Sequence, residues 1–282
     1  MRKVLIYITG VLSALTLAGC GYNNSVGSEK NDRIESEESH ADKIKREESL
    51  SGETEREEPD VAEAFVLSSS PLLEAVSPQQ ENMADLLQST SAGLMVRVTA
   101  EELIGSGVIY GIYEEVLVVA TAGHLLEQAE GGVWLTFSDG FAVESTEYIV
   151  SDSADLAFIK VALREIPEEH LRQYYCVNTD KESFDALKSG DGIIVMGSKL
   201  EAAGDAYEGM LTEPWIYVED FAQYMMLVKV EAYPGMSGGG LFDLQGHFLG
   251  ILCGFDEDGE AAAVPFSILE AAAAELIVTA QP

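Results

Sequence analysis

The stretch Tyr233–Leu241, which reads Tyr-Pro-Gly-Met-Ser-Gly-Gly-Gly-Leu, surrounds a single serine, Ser237, with glycines. Glycine has no Cβ and adopts backbone dihedral angles that other residues disfavour, so a loop of this kind can turn neighbouring amides toward one point. The residue types predict a serine hydroxyl placed beside backbone hydrogen-bond donors. The amides of Gly235 and Ser237 are the expected donors.

Two stretches upstream of this loop carry the partners that such a serine needs. The apolar run Val116–Ala120 leads to His124, and Asp155 stands just before the apolar run Ala157–Val161. A serine hydroxyl is a weak nucleophile until a histidine takes its proton, and the resulting imidazolium needs a carboxylate that holds its tautomer and charge. The residues therefore predict acyl-transfer chemistry. Asp152 is the alternative carboxylate, although Asp155 is favoured because it directly precedes an apolar strand.

The surrounding sequence alternates short β-rich runs with clusters of Gly, Asp and Ser, a pattern typical of an all-β barrel or sandwich. Only Pro265–Ile277, rich in Ala, Leu and Glu, predicts a long helix. The predicted strands are Leu94–Val98, Ser106–Tyr110, Val116–Ala120, Val133–Phe137, Ala142–Val150, Ala157–Val161, Gly192–Met196, Met225–Val230, Gly240–Phe242 and His247–Cys253.

Together these motifs resemble the chymotrypsin-like (trypsin-like) serine endopeptidases, and more closely their bacterial HtrA (DegP-type) branch. The chain order of histidine, aspartate and serine is that of the two-barrel enzymes. The resemblance covers about residues 90–277 and implies an all-β, chymotrypsin-like double β-barrel with a C-terminal α-helix. Further stretches that fit the branch are Gly105–Ile109, Leu187–Gly197, Leu241–Leu252 and Ala263–Ile268.

The resemblance implies a role for each residue of the three motifs. Ser237 is the expected nucleophile, His124 the general acid/base and Asp155 its orienting partner, while the amides of Gly235 and Ser237 form the expected oxyanion hole. Polypeptides are the implied substrates, exported or misfolded ones in particular, and no cofactor is implied. The alternative is a non-catalytic, protease-like binding or sensing lipoprotein.

Two positions near Ser237 carry expectations of their own. Met236 stands where Asn or Asp usually precedes the serine in the family, which argues against activation by a newly freed N-terminus. Glu231 lies six residues before Ser237, the offset of the specificity-pocket acid in trypsin-like enzymes, and it predicts cleavage after Lys or Arg. The alternative is a surface acid, with the small apolar preference general among HtrA relatives. About five residues follow the closing helix, so no PDZ domain is expected.

The N-terminal residues predict export and anchoring. In residues 1–20 a basic head and an apolar stretch end in Leu-Ala-Gly-Cys at Cys20, as in a secretory signal peptide. This ending resembles the lipobox of bacterial lipoproteins, which implies lipidation of Cys20 and anchoring on the extracytoplasmic side of the cell membrane. Residues 21–60 hold 13 acidic and 6 basic residues and predict a disordered linker. Residues 61–89 are the predicted lead-in segment and residues 90–282 the protease domain.

The charge excludes some classes of partner. The formal net charge is −33, and residues 61–282 hold 36 of the 49 acidic residues. Such a surface repels phosphate backbones, so nucleic acid is not an expected partner.

Two cysteines remain after lipidation, Cys176 and Cys253, both in apolar surroundings. They are expected to be buried free thiols, with a single disulfide as the alternative in an exported chain. Neither has a second Cys or a His at metal-ligand spacing, so no metal site is expected.

Overall fold

Thirteen strands form two antiparallel β-sheets in the computed structural model, which describes residues 90–199, 202–255 and 259–278. The predicted signal peptide with Cys20, the linker 21–60 and the lead-in 61–89 lie outside the described residues. The architecture is the all-β double barrel expected from the sequence, with a short helix at the C-terminal side.

The N-terminal sheet has seven strands in the order β5-β4-β1-β2-β3-β7-β6. One sequence prediction is wrong here, because Ala142–Val150 is two strands rather than one. The hydroxyl of Ser145 donates to the carbonyl of Lys160 and accepts from the amide of Glu147, which turns the chain from one neighbour to another. The strands are β1 (Met95–Ala100), β2 (Leu103–Tyr113), β3 (Val116–Thr121), β4 (Val133–Phe137), β5 (Ala142–Ser145), β6 (Tyr148–Val150) and β7 (Ala157–Ala162).

The C-terminal sheet closes into a six-stranded barrel in the order β10-β13-β12-β11-β8-β9. Its strands are β8 (Gly192–Lys199), β9 (Ala202–Val218), β10 (Gln223–Val230), β11 (Gly240–Asp243), β12 (Phe248–Phe255) and β13 (Glu260–Pro265).

Two of these strands, β9 and β13, were not predicted, and in both the neighbouring strands override the local sequence. β9 contains charged residues and Pro214, but it pairs with β8 and β10. The proline lies in a bulge of β9, where the step from Glu213 to Ile216 faces the shorter step from Leu227 to Met225 of β10. β13 is rich in alanine, a helix former, yet it pairs with β10 and β12 and its alanines are fully buried.

Short helices connect and close the sheets. The α-helices that follow β7 are α1 (Glu168–Leu171), α2 (Lys181–Asp185) and α3 (Phe266–Ala273), the last followed by one π-helical segment, Ala274–Val278. The predicted helix Pro265–Ile277 is therefore α-helical only in its first part. None of the helices in the described part of the chain has the length and apolar run needed to cross a bilayer.

Apolar side chains fill each barrel and also the space between the barrels. Val118 and Phe158 from the N-terminal sheet pack in one cluster with Phe242 and Phe248 from the C-terminal barrel and with Leu269 of α3. Burial of such side chains removes apolar surface from water and fixes the two sheets relative to each other. The loop that carries Ser237 begins after β10 and ends at β11, on this interface.

Candidate active site

His124 and Asp155 are brought together by the ends of β3 and the loop before β7. The amide of His124 donates to Asp155 Oδ1 at 2.8 Å, and His124 Nδ1 lies 2.9 Å from Asp155 Oδ2. Gly123 makes this approach possible, since a Cβ there would lie 2.9 Å from the Leu156 amide nitrogen. Asp152, the alternative carboxylate, is exposed and makes no described contact with His124.

The charge of Asp155 determines the tautomer of its partner. Burial alone would raise the pKa of Asp155, but the hydrogen bonds and positive charge of His124 outweigh it and hold this pKa below its ordinary value. An ionised carboxylate only accepts hydrogen bonds. His124 Nδ1 therefore carries the hydrogen, which leaves Nε2 able to accept a proton.

The loop around Ser237 consists of two consecutive four-residue turns. The Met236 amide donates to the Tyr233 carbonyl at 3.2 Å, and the Gly239 amide donates to the Met236 carbonyl at 2.8 Å. The third residues of these turns, Gly235 and Gly238, have φ of 96° and 85°. A type II turn requires positive φ at this position, which explains why glycine occupies both.

The two turns leave alternate amides free. The amides of Met236, Gly238 and Gly239 donate to backbone carbonyls, whereas within the described residues the amides of Gly235 and Ser237 donate to none. These two are the donors expected from the sequence. They are available to an incoming oxygen that carries negative charge.

Cys253 on β12 connects the serine with the His–Asp pair. Its carbonyl accepts the Ser237 hydroxyl at 3.3 Å, and its Sγ lies 3.5 Å from the backbone oxygen of Asp155. Burial and the neighbouring Asp155 raise the pKa of this thiol well above its ordinary value, so it stays protonated. Cys253 and Cys176 are both buried and form no disulfide with each other, so the disulfide alternative is wrong. Nothing in the sequence indicated that Cys253 would contact the site.

The structure also places the two other residues singled out near Ser237. Met236 is fully buried in the apolar core of the C-terminal barrel, with its sulfur 3.2 Å from the Tyr233 amide nitrogen. Glu231 is exposed and accepts a hydrogen bond from the Tyr233 hydroxyl. Its proposed contact with a substrate side chain stays a prediction.

Ser106 on β2 is a site neighbour that the sequence reasoning did not single out. It is fully buried, its hydroxyl donates to the Gly235 carbonyl at 2.7 Å, and it accepts the Ser198 amide at 2.7 Å. A polar residue between two glycines in an otherwise apolar strand was the available signal.

The remaining described histidines also face carboxylates. His170 Nδ1 lies 2.7 Å from Asp139 Oδ2, and His247 Nδ1 lies 2.7 Å from Asp243 Oδ2. Within the described ranges, no group of His, Cys, Asp and Glu has an arrangement that could hold a metal ion.

A family model described as "Trypsin-like peptidase domain" matches residues 105–251, more than half of the 282-residue chain. The chain belongs to the trypsin-like peptidase family. The matched span contains the His124–Asp155 pair and the whole loop around Ser237. No curated protein matches this trypsin-like peptidase in sequence.

Solved structures share the fold of this trypsin-like peptidase. The protease Rv3671c of M. tuberculosis H37Rv, in an inactive form, superposes with a TM-score of 0.56 at 18% identity, over 73% of this chain and 97% of that one. The HtrA-type protease AlgW, solved with a tripeptide, gives a TM-score of 0.55 at 20% identity, over 70% of this chain and 63% of that one. At these identities the likeness shows the double-barrel fold.

Proposed function

We propose that this trypsin-like peptidase is an HtrA-type serine endopeptidase that cleaves exported or misfolded polypeptides at the extracytoplasmic face of a membrane. The observation that carries the proposal is the pair of free amides, Gly235 and Ser237, beside a serine that Cys253 links to the ionised Asp155, the partner of His124. These are the groups that stepwise acyl transfer needs.

In the proposed acylation step, His124 Nε2 takes the hydroxyl proton of Ser237 as Oγ bonds to the carbonyl carbon of the scissile peptide. The electron pair of that carbonyl moves to its oxygen, which the amides of Gly235 and Ser237 stabilise. The tetrahedral intermediate then collapses. The C–N bond breaks, His124 gives its proton to the leaving amine, and the acyl group remains on Ser237.

In the proposed deacylation step, water takes the place of the leaving amine. His124 removes a proton from the water, whose oxygen bonds to the acyl carbon, and the same two amides stabilise the oxyanion. Collapse breaks the ester bond and returns the proton to Ser237 Oγ. Asp155 stays ionised throughout and holds the imidazolium.

In this structure the Ser237 hydroxyl donates its hydrogen bond to the Cys253 carbonyl rather than to His124. Rotation about the Cα–Cβ bond moves such a hydroxyl between staggered positions, and catalytic hydrogen bonds are often formed only once substrate is bound. This contact is also the observation that favours the second candidate, a non-catalytic binding or sensing lipoprotein.

Hydrolysis separates the two candidates. The full chain, purified in detergent, is incubated with an unfolded, fluorescein-labelled protein beside the Ser237→Ala variant. We expect wild type to release internal fragments and the variant to release none. Binding of the labelled protein by both chains without cleavage by either would favour the non-catalytic candidate.

The proposed specificity for Lys or Arg rests on Glu231. Fragments released by wild type and by Glu231→Ala are sequenced, with Glu208→Ala as a control for the loss of another acid. If Glu231 binds the substrate side chain, Glu231→Ala should make a smaller share of its cuts after Lys and Arg. Glu208→Ala should cut at the same sites as wild type. Unchanged cleavage sites would leave Glu231 as a surface acid.

The proposed location rests on Cys20 and on the basic and apolar residues before it. Two or more acyl chains give stable membrane anchoring, whereas one is marginal. Cells that express wild type or Cys20→Ser are fed an alkyne fatty acid. We expect label and membrane association for wild type alone, and equal labelling of both would contradict lipidation at Cys20.

A further inference from the structure

Ser106 is fully buried. Its hydroxyl, amide and carbonyl all make hydrogen bonds within the protein. Its hydroxyl donates to the Gly235 carbonyl and accepts the Ser198 amide, each at 2.7 Å. Its own amide donates to the Ser237 carbonyl at 2.7 Å, and its carbonyl accepts the Thr121 hydroxyl at 2.6 Å. One residue of β2 thus joins β3, β8 and the Ser237 loop.

The contact with Gly235 concerns the orientation of a peptide group. The Gly235 carbonyl belongs to the peptide that follows Gly235, and rotation of this peptide changes the backbone angles on both sides of it. Gly235 has no Cβ to resist such rotation and its φ is 96°. A hydrogen bond from a buried hydroxyl therefore replaces the steric restraint that the residue lacks.

The contact with Ser237 restrains the other end of the same segment. The Ser106 amide donates to the Ser237 carbonyl, and its hydroxyl donates to the Gly235 carbonyl. Ser106 therefore restrains the backbone on both sides of Met236. The two free amides belong to Gly235 and Ser237, the same two residues whose carbonyls accept hydrogen bonds from Ser106. Donors to an oxyanion are effective when they are held in place before the charge develops.

The hydrogen bond from Thr121 connects Ser106 to the strand that leads to His124. Thr121 ends β3, three residues before His124, and its hydroxyl donates to the Ser106 carbonyl. Ser106 therefore connects the strand that leads to His124 with the loop that carries Ser237. The two barrels contribute opposite sides of the site, and a short hydrogen-bonded path joins them here.

From this geometry we infer that Ser106 is a positioning residue, whose hydroxyl and amide hold the Gly235–Ser237 segment so that both free amides point at the developing oxyanion. The inference rests on the proposed function. Ser106 acts through the loop and does not touch the substrate.

The kinetic test uses the full chain and a matched control. Ser106→Ala removes the hydroxyl, and Ser145→Ala removes another buried serine hydroxyl, which donates to the Lys160 carbonyl at 2.6 Å in the same sheet. At an equal folded fraction, we expect Ser106→Ala to lower kcat on a peptide substrate by about 10²-fold. KM should stay within about twofold, and Ser145→Ala should retain the wild-type kcat.

Equal kcat values for Ser106→Ala and wild type, or equal losses in Ser106→Ala and Ser145→Ala, would overturn the inference. A second variant, Ser106→Cys, keeps a side chain at the position with a weaker donor and serves where Ser106→Ala does not fold. Ser106→Cys should lower kcat and leave KM unchanged. A wild-type kcat in this variant would also contradict the positioning role of Ser106.

Hydrogen exchange provides a readout that does not need activity. Peptides that cover residues 233–239 report three hydrogen-bonded amides. Those of Met236 and Gly239 donate within the loop, and that of Gly238 donates to the Leu252 carbonyl of β12. Exchange of these amides should accelerate in Ser106→Ala and stay at the wild-type rate in Ser145→Ala. If wild type hydrolyses nothing, the proposed function fails, and this comparison still decides whether Ser106 holds the loop.

Discussion

Two His–Asp pairs in this molecule have nearly the same local geometry and different surroundings. In His124–Asp155 and in His247–Asp243 the histidine amide donates to the carboxylate at 2.8 Å, and Nδ1 lies 2.9 Å and 2.7 Å from the second oxygen. Their exposures are also similar, 11% and 12% against 15% and 10%.

The difference lies at the other ring nitrogen. Nε2 of His247 faces a second carboxylate, that of Asp180, at 3.8 Å, whereas Nε2 of His124 has no such partner in the described residues. His247 and Asp243 are four residues apart on one turn, and His124 and Asp155 are 31 apart beside the Ser237 loop. A His–Asp pair alone does not make a site, since the second nitrogen must be free to exchange a proton with a nucleophile.

The largest expected contrast comes from removing each histidine. His124→Ala should lower kcat by about 10⁶-fold, because the loss of one member of such a constellation removes its joint action. His247→Ala should stay within about twofold of wild type. Hydrolysis of one peptide substrate by the two variants measures this, and equal losses would show that the pairs are not functionally distinct.

The carboxylates should show a smaller contrast of the same kind. Asp155→Asn preserves shape but removes the charge that fixes the His124 tautomer, and we expect kcat to fall by about 10⁴-fold. Asp243→Asn should leave kcat near the wild-type value. Stopped assays at equal folded fractions give the ratio, and full activity in Asp155→Asn would remove Asp155 from the mechanism.

Two glycines with positive φ, one near each His–Asp pair, should differ in how much an added Cβ lowers the free energy of unfolding. A Cβ on Gly238 would collide with the Ser106 carbonyl oxygen and the Thr121 hydroxyl, and φ there is 85°. Gly238→Ala should lower the free energy of unfolding by about 3 kcal/mol through strain and overpacking. Gly246→Ala, with φ of 93° beside His247, should lower it by about 1 kcal/mol. Urea unfolding measures both, and equal losses would argue against tight packing around Ser106.

The smallest effect concerns acid stability. The pKa of Asp155 is lower in the folded chain than its ordinary value, because hydrogen bonds and the charge of His124 outweigh the effect of burial. Its ionised form therefore stabilises the fold above the ordinary pKa of about 4, and this contribution is lost as pH falls through the folded value. The difference in unfolding free energy between wild type and Asp155→Asn should shrink below about pH 4. A difference that stays constant there would contradict the lowered pKa.

The sequence was most informative where side-chain patterns follow local structure. The short β-rich run Val133–Phe137 predicts β4 with its observed limits, and the observed burial alternates along it. The residue types around His124, Asp155 and Ser237 predict acyl-transfer chemistry, because that chemistry needs those groups. The family match to a trypsin-like peptidase domain agrees with that interpretation.

The features that the sequence reasoning missed depend on contacts between distant segments. β9 and β13 are held by strands on both sides, which local propensity does not report. The contacts of Ser106 with Gly235, 129 residues away, and of Cys253 with Asp155, 98 residues away, arise only when the barrels pack. The second His–Asp pair was missed for a different reason, since its four-residue spacing on a turn carried no family motif.

The most direct test of the central claim is covalent labelling of Ser237. The full chain is treated with a fluorophosphonate, which bonds phosphorus to an activated serine oxygen with loss of fluoride, and the label is located by mass spectrometry. We predict label on Ser237 in wild type and in His247→Ala, and none in Ser237→Ala or His124→Ala. Absence of label from folded wild type, or equal labelling with and without Ser237, would contradict the assignment of Ser237 as an activated nucleophile.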